Sequence, residues 1–96
     1  DAKFNFYYAN SAYKSGHYEI ALASFERVEM IEPNNSRIQL EMARIYYILK
    51  MYEDAELRFK DVLQNPTIPK NVRINIELYL AKIANITKKS FTYTTL

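Results

Sequence analysis

The chain repeats itself. Gly16-His17-Tyr18-Glu19-Ile20-Ala21 returns about 34 residues later as Lys50-Met51-Tyr52-Glu53-Asp54-Ala55. At that offset Tyr18 falls on Tyr52, Glu19 on Glu53 and Ala21 on Ala55, while Phe25 falls on Phe59, Val28 on Val62 and Ala9 on Ala43. A period of this length holds one pair of helices. A lone pair cannot bury its apolar stripe, so successive pairs must stack.

The apolar spacing is helical. Phe4, Tyr8, Ala9 and Ala12 share one face of a first helix over residues 2–14. Ser15-Gly16-His17 forms a tight turn, with Gly16 suited to a left-handed position. A second helix, 18–31, points Ala21, Phe25 and Val28 inward and stops at Glu32-Pro33-Asn34-Asn35-Ser36, where Ser36 is the expected cap of the next helix. A third, 37–49, carries Ile38, Met42, Ala43, Ile45 and Tyr46 inward. Its corner, Lys50-Met51, lacks Gly and predicts either a slightly strained turn or Lys50 at positive φ. A fourth, 52–64, presents Ala55, Phe59, Val62 and Leu63. After Asn65-Pro66-Thr67-Ile68-Pro69, a fifth over 70–86 presents Val72, Ile76, Tyr79, Leu80 and Ile83. The expected fold is all-α: a solenoid of antiparallel helix pairs, with repeats at 2–35 and 36–69, a capping helix at 70–86, and a domain spanning 1–87. Residues 88–96 read as a short extended tail, or as the start of a strand in a following β domain, because Phe91-Thr92-Tyr93-Thr94-Thr95-Leu96 is aromatic and β-branched.

Composition narrows the function. With 49% hydrophobic and 25% charged residues the chain is an ordinary globular domain, and one Gly with three Pro leaves little room for a turn-rich β fold. A formal charge of +2, without a dense basic cluster beyond Lys88-Lys89, argues against nucleic acid as a partner. No Cys is present, so disulfides and thiolate metal sites are excluded. No apolar run approaches bilayer length, so this segment is not expected to insert into a membrane. His17 is the single His and reads as a solvated turn residue. Glu19, Glu53 and Asp54 sit at helix N-termini, where the dipole favours negative charge. No nucleophile with a base, phosphate loop or metal spacing occurs, so the expectation is no enzyme, no cofactor and no metal. The chain opens at Asp1 without Met or a signal-like segment, as expected of an excised fragment or a mature form.

These positions resemble the tetratricopeptide repeat: Ala9, Gly16, Tyr18, Ala21, Phe25 and Pro33 in the first repeat, and Ala43, Tyr46, Tyr52, Ala55 and Phe59 in the second. Departures are Asn5 where the pattern favours Trp, Lys50 where it favours Gly, and Pro66 one residue early. The resemblance implies a protein or peptide partner held on a concave face lined by the first helix of each repeat. On this chain that face would offer Phe6, Tyr7, Asn10 and Tyr13, then Glu41, Arg44, Tyr47 and Ile48, with Lys3, Lys14, Arg37 and Leu40 beside them and Ile74, Asn75 and Leu78 from the capping helix. Phe6, Tyr7, Tyr13 and Tyr47 lie off the predicted buried stripe and therefore need a cover, either neighbouring repeats or a partner. Some relatives clamp a C-terminal carboxylate with cations or Asn. Phe6, Glu41, Asn71 and Asn75 stand where that clamp would be and only Asn10 fits, so an extended or helical apolar segment is the expected ligand. Self-association through the terminal helices is a further expectation.

Residues 62–83, from Val62-Leu63-Gln64-Asn65-Pro66 to Leu80-Ala81-Lys82-Ile83, are also similar to the junction in bacterial surface-lipoprotein assembly modulators. That resemblance implies a scaffold or spacer on the periplasmic side of an outer membrane, leading into a β-barrel. The alternative location is the cytoplasm.

Overall fold

The computed structural model describes residues 2–95, with side chains described for 2–88. Five helices follow in chain order: α1 (Ala2–Lys14), α2 (Tyr18–Ile31), α3 (Ser36–Ile48), α4 (Tyr52–Leu63) and α5 (Lys70–Thr95). Consecutive helices form antiparallel pairs, α1 with α2 and α3 with α4, and α5 lies on the second pair. The result is an elongated solenoid of 50 × 30 × 20 Å.

Identical corners join each pair. At the first, the Gly16 amide donates to the Tyr13 carbonyl (3.0 Å) and the His17 amide to Ala12 (2.9 Å). At the second, Lys50 donates to Tyr47 (3.0 Å) and Met51 to Tyr46 (2.8 Å). This double bond pattern satisfies two otherwise orphaned carbonyls and requires a left-handed residue. Gly16 supplies it at φ 80° and Lys50 at φ 63°, as its sequence position predicts. Between pairs the chain uses side chains instead. Asn35, not Ser36, caps α3, its Oδ1 accepting from the amides of Arg37 (3.0 Å) and Ile38 (3.3 Å). The Ser36 hydroxyl is spent elsewhere: Oγ accepts from Asn65 Nδ2 at 2.8 Å, tying the start of α3 to the connection after α4.

Two core clusters alternate along the stack. Ala9, Ala21, Phe25 and Val28 of the first pair enclose Ile38, Met42 and Ile45 of α3. Leu40, Ala43, Ala55, Phe59 and Val62 enclose Ile76 and Ile83 of α5. The small Ala side chains at the crossings let paired helices approach closely enough for this interlock. Tyr46, half-buried, packs against both clusters.

α5 differs from expectation at its end. It does not stop at Ile86 but continues through Thr95, so helix replaces the expected extended tail over 88–95, and Leu96 lies outside the described residues. No Pro or Gly follows Pro69 to break it. Thr87, the first Thr of α5, donates its hydroxyl to the carbonyls of Ile83 (3.0 Å) and Ala84 (3.2 Å) and so stays within the helix. The side-chain alternation expected over 91–96 lies outside the described side chains.

Candidate functional site

α1 and α3 each present three faces in the same register. Ala9 and Ala43 meet the partner helix. Phe6 and Tyr13 pack against the first core cluster, as Leu40 and Tyr47 belong to or pack against the second. A third stripe stays accessible: Lys3, Tyr7, Asn10 and Lys14 on α1, matched by Arg37, Glu41, Arg44 and Ile48 on α3. α5 continues it with Asn71, Asn75, Leu78 and Lys82. Spacing of i, i+4, i+7 and i+11 keeps each set on one side of its helix.

The aromatic residues are more heavily used than the sequence suggests. Phe6 packs edge-on against Phe25, ring centroids 5.8 Å apart. Tyr13 meets Tyr18 at 5.8 Å, and Tyr47 makes the equivalent contact with Tyr52 at 5.7 Å. Tyr47 also meets Tyr79 at 5.0 Å, and Tyr79 stacks on Phe59 at 4.8 Å. The cover expected for Phe6, Tyr13 and Tyr47 is therefore supplied largely within the chain, and all three are half-buried. Tyr7 remains 61% exposed and Ile48 40%. Leu40, expected to line the groove, is instead buried, because it is the repeat equivalent of Phe6 and faces the second cluster around Phe59.

The outer stripe of α1 departs in the other direction. Phe4 and Tyr8, expected inward, are 69% and 51% exposed. Their equivalents on α3, Ile38 and Met42, are buried because α3 lies on the first helix pair, whereas α1 forms the edge of the described stack.

Polar groups on the accessible stripe are partly paired. Arg44 Nη1 lies 2.8 Å from Glu41 Oε1, an i, i+3 ion pair that leaves little net charge at the centre of the face. Tyr13 sits beside this pair. Burial raises its phenol above the ordinary 10.0, the Glu41 carboxylate pushes the same way and Arg44 opposes. Tyr13 therefore keeps its proton at neutral pH and can donate a hydrogen bond. At one end of the face, Arg37 lies over the Phe6 ring at 4.9 Å. That contact is not evident from the sequence within either repeat. The repeat gives Arg37 the place on α3 that Lys3 has on α1, but does not bring it to Phe6.

Among the described residues no cluster of His, Cys, Asp or Glu could hold a metal ion, no buried side-chain polar atom lacks a partner, and no helix is long and apolar enough to cross a membrane. His17 is exposed in its turn.

A tetratricopeptide repeat family profile matches residues 12–66, more than half of the chain, from the end of α1 to Pro66. The chain belongs to the tetratricopeptide repeat family. A search of curated proteins returns no match. Tetratricopeptide repeats are in general protein–protein interaction modules and typically non-catalytic. The family match supports the first of the two resemblances and says nothing of the lipoprotein-assembly junction.

Proposed function

We propose that this tetratricopeptide domain is a non-catalytic module that binds a segment of a partner protein on the accessible face of α1, α3 and α5. The observation that carries this reading is the repeated stripe itself. On α3 the other faces are engaged in stacking, and the accessible stripe keeps the same register on α1 and α5, with Tyr7, Asn10, Arg44, Ile48 and Leu78 along it. Tyr7, Ile48 and Leu78 supply apolar contact at about 25 cal/mol per Å² buried. Asn10 and the Glu41–Arg44 pair supply hydrogen bonds that set register. Tyr13 and Tyr47 act mainly as the rigid floor beneath them, because their rings are already held by Tyr18, Tyr52 and Tyr79.

The test is selection of peptide ligands from a displayed random library on the whole chain, followed by amide chemical-shift mapping. Ligands should perturb Tyr7, Asn10, Arg44 and Ile48, and the double change Tyr7→Ala with Ile48→Ala should abolish those shifts while leaving the thermal melt nearly unchanged. Ligands that perturb only α2 and α4 would reject this face as the binding site.

A further inference from the structure

We infer that the partner segment is acidic, and that Arg37 reads its carboxylate between two apolar anchors. This rests on the module reading above and adds the chemistry of the ligand.

The small net charge of the chain conceals a strong segregation. α1 carries Lys3 and Lys14 and no acid, and α3 carries Arg37 and Arg44 against Glu41. α5, through Lys88, carries Lys70, Arg73, Lys82 and Lys88 against Glu77. The outer helices reverse the balance: α2 has Glu19, Glu26 and Glu29 against Arg27, and α4 has Glu53, Asp54, Glu56 and Asp61 against Arg58 and Lys60. Over the 20 Å short dimension of the molecule, salt screening with a length of about 8–10 Å leaves each face to act by its own charge. The first-helix face therefore attracts anions even though the whole molecule is nearly neutral.

Arg37 is where that charge meets a built surface. Two clefts occupy equivalent positions in the two repeats and share this residue. The first, about 420 Å³, is bordered by Lys3, Phe6, Arg37 and Glu32, with Val28 and Ile38 enclosed beneath it. The second, about 300 Å³, is bordered by Arg37, Leu40, Val62, Ile68 and Val72. The Arg37 guanidinium rests on Phe6 and has no carboxylate partner among the described residues. Its own helix start is already satisfied, since Asn35 Oδ1 accepts from the Arg37 and Ile38 amides. Two acids stand near this region and both are engaged: Glu32 accepts from Asn35 Nδ2 at 3.1 Å, and Glu41 holds Arg44. A planar guanidinium braced on a ring favours bidentate pairing with a carboxylate. Phe6 beside the guanidinium on one side, and Ile68 with Val72 in the second cleft on the other, suit aliphatic or aromatic side chains flanking that carboxylate. A nucleic acid fits less well, because its phosphates fall about every 1.7 Å along the duplex while the cations here are few and interspersed with Glu32 and Glu41.

The experiment uses the whole chain and a displayed peptide library with one fixed Glu and randomised flanks. Binding of the selected peptides, fluorescein-labelled, is followed by anisotropy, beside oligothymidylate and phosphatidylserine vesicles as competing anions. Apolar residues should be enriched on both sides of the Glu. Changing that Glu to Gln, or Arg37→Glu in the protein, should weaken binding about tenfold or more, with Arg37→Lys in between. Glu53→Lys on the outer face should change nothing, and unchanged thermal melts exclude unfolding as the cause. If peptides still perturb α1, α3 and α5 but ignore Arg37→Glu, the acidic assignment fails while the module reading stands. If no peptide perturbs those helices, both fail. Tighter binding of oligothymidylate or vesicles than of any peptide, lost in Arg37→Glu, would overturn the peptide as the occupant.

Discussion

α1 and α3 are the same helix placed twice. They share a register, a crossing Ala, an aromatic beside the corner and the same corner hydrogen bonds. Yet Phe4 and Tyr8 are exposed on α1 where Ile38 and Met42 are fully enclosed on α3. Residue type follows the difference at one of the two positions, where the amphipathic Tyr8 stands in place of Met42; Phe4 is as apolar as Ile38. In a stacked array a position is buried by the helix pair lying behind it, so equivalent residues contribute unequal amounts to stability.

That inequality is measurable. The largest losses belong to residues enclosed in both repeats: Phe25→Ala or Phe59→Ala should each cost about 3–5 kcal/mol in urea denaturation. Next comes the matched pair. Met42→Ala should cost about 2–5 kcal/mol, whereas Tyr8→Ala should stay within about 1 kcal/mol, as expected away from the core. Equal losses at the two positions would mean that Tyr8 is covered in solution and that the edge of the stack is not an edge.

The corners offer a finer comparison. Lys50→Gly relieves a side chain held at φ 63° and should raise stability by about 1 kcal/mol. Gly16→Ala, at φ 80° with open space around the added methyl, should lower it by about 1 kcal/mol through backbone strain alone. Opposite signs in thermal melts are the expected result. The smallest effect is electrostatic. Burial raises the Tyr46 phenol, with Arg58 opposing and Glu26 adding to it. The folded chain thus holds this proton more tightly than the unfolded one, so its contribution is complete below the ordinary value of 10.0 and falls away as pH rises past it. The melting temperature should drop above about pH 10, and less steeply in Tyr46→Phe.

Much of this architecture is legible in the sequence because the repeat carries it. Ala21, Phe25 and Val28, and their partners Ala55, Phe59 and Val62, are buried where their spacing puts them, and Lys50 takes the left-handed corner that Gly16 marks. The misreadings share a physical origin. Helical spacing identifies a stripe but not what lies against it, so by spacing alone Phe4 and Tyr8 point inward and Leu40 outward. The end of α5 was obscured by β-branched Thr residues, whose strand preference is outweighed when the hydroxyl bonds back to the preceding turn, as at Thr87. For the candidate face, register alone places Tyr7, Asn10, Arg44 and Ile48 on one side. The Glu41–Arg44 pair has the i, i+3 spacing that helical register brings together, whereas the Arg37–Phe6 stack crosses from α3 to α1 and depends on side-chain reach.

One contact bears on how the array moves. Arg58 Nη1 on α4 pairs with Glu29 Oε2 on α2 and also approaches the Met42 sulfur at 3.7 Å. It spans the outer helices, which separate when a solenoid curls more tightly about its inner face. A tie at this place works as a check strap, because the ion pair must part before α2 and α4 can separate. Severing it, as in Arg58→Met, would soften the spring without emptying the core.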